Sequence, residues 1–201
     1  MYQKIFLIII LIISLSNCSK KETVITEPPN ENKAYEIYKE ALDAMNKNEF
    51  FFAAKKFAEA EKILPVIEHS AKAQLMSGFC FYAISFHDEA ISALENFLKK
   101  YPADKNVDYA SYLIALSNYE QILDEKKDLK PLIKSRKIIN DYIEQYPNNE
   151  YSLDLKFKLS LIENQLAAKE IYIAKYYIKI QKWIPAINRL KNIVNNYQQT
   201  I

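Results

Sequence analysis

One glycine, Gly78, serves the whole 201-residue chain. Tight β-hairpins favour glycine wherever the backbone must take a positive φ. A sandwich or barrel of many such hairpins is therefore excluded. Alanine, leucine, isoleucine, lysine and glutamate are abundant, and all but isoleucine are strong helix formers. Half the residues are hydrophobic, enough to bury a core, so the expected class is a folded all-α protein. The net charge is only +2, and lysine occurs among many Asn and Ile residues. The lysines thus read as solvated helix faces, and nucleic acid is not an expected partner.

The prolines act as rulers for an internal repeat. Twelve residues before Pro65, Pro102 and Pro147 stand the small residues Ala53, Ala90 and Ser135. Four residues after each small residue comes Phe57, Leu94 or Ile139, and three further on Ala60, Phe97 or Tyr142. A fourth copy has Ala186, Leu190 and Ile193, with Gln198 in place of proline. Steps of four and three put these residues on one helix face, and the small residue marks a close helix approach. Another small residue lies twelve before three of the landmarks: Ala41, Gly78 and Ala174. The pattern resembles the tetratricopeptide repeat, a helical hairpin that stacks into a solenoid. The spacings of 37, 45 and 51 residues exceed the usual period of about 34, so the later repeats are lengthened. Repeats are expected over about 34–65, 68–102, 106–147 and 151–198. Their helices are expected at 34–47 with 49–64, 68–85 with 87–101, 107–123 with 130–146, and 151–179 with 183–197.

Two segments precede this domain. Residues 1–17 begin with Lys4 and an apolar run from Ile5 to Leu15, too short to span a bilayer but suited to a secretory signal. Leu15, Ser16, Asn17 and Cys18 resemble the bacterial lipobox, although Asn17 replaces the usual Gly, Ala or Ser. That resemblance implies removal of residues 1–17 and acylation of Cys18, giving attachment by several chains. Residues 18–33 continue as a polar stretch holding Pro28 and Pro29, expected to form an extended tether. Cys80, in an apolar setting, is expected to be a buried, inert thiol.

Chemistry-bearing patterns are sparse. His69 and His87 have no ligand-spaced partner, and a single glycine cannot form a phosphate loop. No Gly-x-Ser-x-Gly elbow occurs. Enzymatic activity, a metal and a cofactor beyond the lipid on Cys18 are therefore not expected.

A lipobox, a short Pro28-Pro29-Asn30 tether and these repeats together resemble the BamD family of outer-membrane β-barrel assembly lipoproteins. Two stretches sharpen the likeness. One is "NVDYASYLIALSN", with the Asn-x-Asp-Tyr of Asn106 to Tyr109. The other is Tyr172 to Thr200, with Tyr176, Tyr177, Trp183, Asn188 and Arg189. The segment Asp124–Pro131 is shorter than the family's loop there, and Ile201 follows the fourth repeat where the family has a fifth. The resemblance implies a non-enzymatic subunit on the periplasmic face of the outer membrane, held by its lipid anchor. It implies binding to the periplasmic domain of BamA and to other assembly lipoproteins, and delivery of unfolded barrel precursors. Partner contacts would fall to Arg189, Asn188, Trp183, Tyr177 and Tyr109. Read from the residues alone, Trp183 is instead a core anchor at an inter-helix turn. Tyr38, Tyr82 and Phe86 are candidates for an N-terminal precursor pocket, or for core. A different envelope scaffold, TolA-binding or pilotin-like, shares the repeats without needing the Tyr-Tyr, Trp and Asn-Arg stretch.

Overall fold

The computed structural model describes residues 31–122 and 129–197. The signal segment, Cys18, most of the tether, residues 124–128 of the third-repeat loop and Gln198 lie outside them. Residues 31–201 form one compact unit. Its described elements are all helices: α1 Glu31–Asn46, α2 Phe50–Glu61, α3 Ile67–Ala83, α4 His87–Lys100, α5 Val107–Glu120, α6 Lys130–Gln145, α7 Glu150–Lys179 and α8 Trp183–Asn196. Each helix packs on its neighbours in sequence, and the first helices of successive pairs also touch, α3 on α5 and α5 on α7. This is a tetratricopeptide-like solenoid.

Local chemistry sets the helix ends. The Asn149 side chain accepts the Tyr151 N–H and caps α7. Pro131 in the first turn of α6 gives up an amide that has no helical partner in any case. Asp88 and Glu89 begin α4, and Lys99 and Lys100 end it, complementing its dipole.

The turns inside three of the pairs share one design. Asn48, Ser85 and Gln181 have φ of 62°, 60° and 59°. Each lies five residues before its landmark, Ala53, Ala90 or Ala186. The next amide reaches back five residues in each turn: Glu49 to Ala44, Phe86 to Phe81 and Lys182 to Tyr177. These are Schellman-type closures, in which the left-handed position usually belongs to glycine. Here Asn, Ser and Gln occupy it, which reconciles three tight turns with one glycine.

The landmark residues are buried as their spacing requires. Ala53, Ala90, Ser135 and Ala186 are all inside, as are Ala41, Gly78 and Ala174. Phe57, Leu94, Ile139, Ala60, Phe97 and Tyr142 are core residues. Two hydrophobic clusters, one mainly in α1 to α4 and one from α3 to α7, share Phe79 and Tyr82 of α3 as packing neighbours. Cys80 is fully buried, and burial pushes its thiol up to about 11, the chemistry of an inert thiol. The fourth copy departs from the pattern. Leu190 is exposed although its equivalents are buried, because among the described residues no helix covers that side of α8.

Candidate functional site

The Asn-x-Asp-Tyr motif is first a structural clamp. Asp108 Oδ2 accepts a hydrogen bond from Asn149 Nδ2 at 2.6 Å, so the start of α5 holds the residue that caps α7. Tyr109 lies half-buried, its ring 5.6 Å from Tyr151 and 6.4 Å from Tyr112. Tyr112 stacks on Tyr151 at 4.5 Å and donates to Asp154, which also pairs with Lys158. Burial first, and then the Asp154 carboxylate, raises the Tyr112 pKa, so its phenol stays a neutral donor. Tyr109 thus belongs to an aromatic seam between the third and fourth pairs.

The three N-terminal aromatics are divided among different contacts. Tyr38 packs edge-on against Phe57 at 5.3 Å. Tyr82 donates to Glu120 of α5 at 2.8 Å, and burial together with that bond raises its pKa. Phe86 is exposed and lies 5.6 Å from Phe51. Beside them a cleft of about 520 Å³ opens between α2, α3 and α4. Its lining mixes Lys55, Lys62 and Lys100 with Glu61, Asp88 and Glu89. Glu61 is buried there and accepts from Lys100 and Tyr101. Among the described residues, no cluster of three His, Cys, Asp or Glu is arranged to hold a metal.

The remaining predicted residues meet on the last helical pair. Antiparallel α7 and α8 bring Arg189 onto Glu170, and the guanidinium Nη1 donates to both carboxylate oxygens at 3.2 Å. The Arg189 side chain is 43% exposed and that of Glu170 16%. Arg189 is thus neither fully solvated nor waiting for its first carboxylate, because its own chain supplies one. Only Nη1 is used, which leaves Nη2 and Nε without an acceptor among the described residues. A pair this exposed adds little stability, on the order of 1 kcal/mol or less, but it restrains the guanidinium. Asn188 is exposed beside it. Tyr177 is half-buried on α7, and its carbonyl closes the turn by accepting the Lys182 amide at 2.9 Å.

Trp183 corrects its reading as a core anchor, for it is 59% exposed. Size alone makes a tryptophan a candidate for burial, but burial needs an element to pack over it. Here α7 is 30 residues long, about 45 Å. Its first half is held by the body through Leu155, Ile162 and the Arg136–Glu163 pair. Its second half and the start of α8 extend past that support. Trp183, Ile187, Leu190 and Val194 form an exposed stripe along α8, while Ala186, Arg189 and Ile193 face α7 or lie near it. This bare end was not read from the spacing, which reports a helix's faces and not what covers them.

The family model YfiO, described as outer membrane lipoprotein, matches residues 30–201. A relative from Caulobacter vibrioides, named outer membrane protein assembly factor BamD, is 32% identical over 190 residues, 93% of this chain and 61% of its own. One of the same name from Rickettsia prowazekii is 32% identical over 82% of this chain and 65% of its own. Another from Neisseria gonorrhoeae is 29% identical over 98% of this chain and 79% of its own. The chain therefore spans less than two thirds of the length of the first two.

Proposed function

The chain belongs to the YfiO family of outer membrane lipoproteins, which includes the BamD assembly factors, and from that premise we propose that it is a non-enzymatic subunit of the outer-membrane β-barrel assembly machinery. In this reading it sits on the periplasmic face of the outer membrane, anchored by lipid on Cys18. It binds the periplasmic domain of BamA and other assembly lipoproteins, and helps deliver unfolded barrel precursors for insertion. No helix of the described residues is long and apolar enough to cross a membrane, so attachment by acyl chains is consistent with the fold.

The observation that carries the reading is the placement of Arg189. It stands on the open side of the last pair, restrained by Glu170 and with one edge of its fork unused. A planar donor held in this way suits a second carboxylate on a partner, with Asn188 beside it and Tyr177 as a further contact. Stacked repeats supply a rigid scaffold for such contacts and require no titrating group.

The internal pair changes the choice of test. Arg189→Glu would set two carboxylates against each other and disturb the α7–α8 contact itself. Arg189→Lys keeps the charge and removes the fork, while Glu170→Gln releases the guanidinium. If Arg189 serves the partner, Arg189→Lys weakens capture of the BamA membrane-proximal periplasmic domain about tenfold or more, and Glu170→Gln retains it. Both variants should keep wild-type helix content. Capture unchanged in Arg189→Lys would remove this arginine from the interface.

A further inference from the structure

Charge divides this chain sharply. Between Glu31 and Glu170 there are 23 acidic and 19 basic residues; beyond Glu170 there are five basic residues and no acidic one. The five are Lys175, Lys179, Lys182, Arg189 and Lys191, and Arg189 alone is paired, with Glu170. The four lysines are exposed, and none has an ion-pair partner among the described residues. The same segment is apolar on its surface. Around the α7–α8 turn, Ile178, Ile180, Trp183 and Ile184 are exposed, Ile184 at 75%, and Tyr172 and Tyr176 lie just before them.

Burial among the described residues is sparse on either side of the turn. Past Ala167, the buried residues described in α7 and α8 are Ala174 and Ala186 alone. The far end of α8 returns to the body, where Arg136 stacks on Tyr197 at 5.6 Å. The hairpin from Ile178 to Ile184 is therefore a projecting tip, apolar and aromatic, ringed by lysines.

We propose that this tip is a second membrane contact, which seats Ile180, Trp183 and Ile184 among the headgroups of an anionic phospholipid surface while Lys175, Lys179, Lys182 and Lys191 meet the phosphates. A second copy of the same face is disfavoured, because it would oppose like charges. A folded acidic partner would need a pocket shaped for the tip, whereas a lipid interface adapts to it. Tryptophan and tyrosine favour the headgroup level, and lysine stems can lie on apolar surface while their ammonium groups reach phosphate. Each lysine near such a surface strengthens partitioning by about fivefold. Together with an acylated terminus, the tip would fix the orientation of the array and not merely its distance from the bilayer.

Trp183 is the only tryptophan, so its fluorescence reports on the tip alone. The full chain would be reconstituted in vesicles of phosphatidylcholine alone and of phosphatidylcholine with phosphatidylglycerol. The expected result is a blue-shifted emission, quenched by brominated acyl chains, in the anionic vesicles only. Added salt should reverse it. The Lys175→Gln, Lys179→Gln, Lys182→Gln, Lys191→Gln variant, with unchanged helix content, should lose it. Identical emission in the two vesicle types would overturn the proposal. So would a shift that follows protein concentration and not lipid charge, which indicates self-association. A shift that appears only on adding the soluble BamA periplasmic domain would assign the tip to protein docking instead. Capture by that domain is scored separately through Arg189, so failure here leaves the assembly reading standing.

Discussion

Gly78→Ala tests how closely the second helical pair is packed. A Cβ built at Gly78 would stand 2.6 Å from Leu94 Cγ, 2.7 Å from Leu94 Cδ2 and 3.5 Å from the Leu94 backbone nitrogen. The first two distances lie far inside van der Waals contact. Leu94 has no easy retreat, since it is fully buried in the core cluster that includes Phe97 and Leu113. Two effects then oppose each other. Alanine in place of glycine in a helix interior favours folding by roughly 0.5–1 kcal/mol. Forcing a methyl into a filled core costs about 1–3 kcal/mol. The collision involves the branch carbon of Leu94 and not only a free methyl end, so overpacking should win, with a net loss of about 1–2 kcal/mol. For a domain of this size that corresponds to a melting temperature lower by roughly 2–8 °C. Urea denaturation followed by far-ultraviolet circular dichroism measures the loss, and an unchanged m-value shows that the native state stays compact. Trimming the obstacle should couple to it: Leu94→Ala alone costs about 2–5 kcal/mol, and less in the Gly78→Ala background. A Gly78→Ala protein as stable as wild type, or more so, would refute the close contact and with it the repeat register built on small residues.

Ala90→Leu should overpack the opposing helix of the same pair and lower stability by about 1–3 kcal/mol, read from the same denaturation curve. Ser85 has a φ of 60°, so Ser85→Gly should relieve left-handed strain and raise the melting point by the equivalent of roughly 0.5–1 kcal/mol; a lower melting point would contradict the turn assignment. Cys18→Ser should abolish incorporation of radioactive fatty acid and leave either an uncleaved precursor or a released protein, whereas wild type without label would end the anchor assignment.

Much of the fold could be read directly from the chain. The small-to-proline spacing located the second helix of each pair, and Ala53, Ala90, Ser135 and Ala186 are all buried where that spacing requires them. The starts of α4, α5, α6 and α8, at His87, Val107, Lys130 and Trp183, coincide with the sequence expectation. They do so because the small-to-apolar periodicity marks where each of these helices lies. The turn residues Asn48, Ser85 and Gln181 were not legible, since none of them is the glycine that normally marks a left-handed cap. The site was harder still. Asn106 to Tyr109 read as a recognition motif, yet Asp108 works through Asn149, 41 residues away in the chain. The internal partner of Arg189 is not legible either, because Glu170 lies 19 residues back on the opposite helix of the hairpin. Trp183 is expected inside for its size, yet among the described residues no element covers it, and a local sequence does not reveal that.

The role we propose is in outer-membrane barrel assembly, through the face built by α7 and α8. Its most direct test is a pull-down of the tagged full chain from solubilised envelope membranes, compared with the Arg189→Lys variant, followed by identification of what is retained. The expected result is a large barrel protein with repeated periplasmic domains, recovered with wild type and depleted with the variant. Recovery of Tol or pilus components, with no such barrel protein, would contradict it.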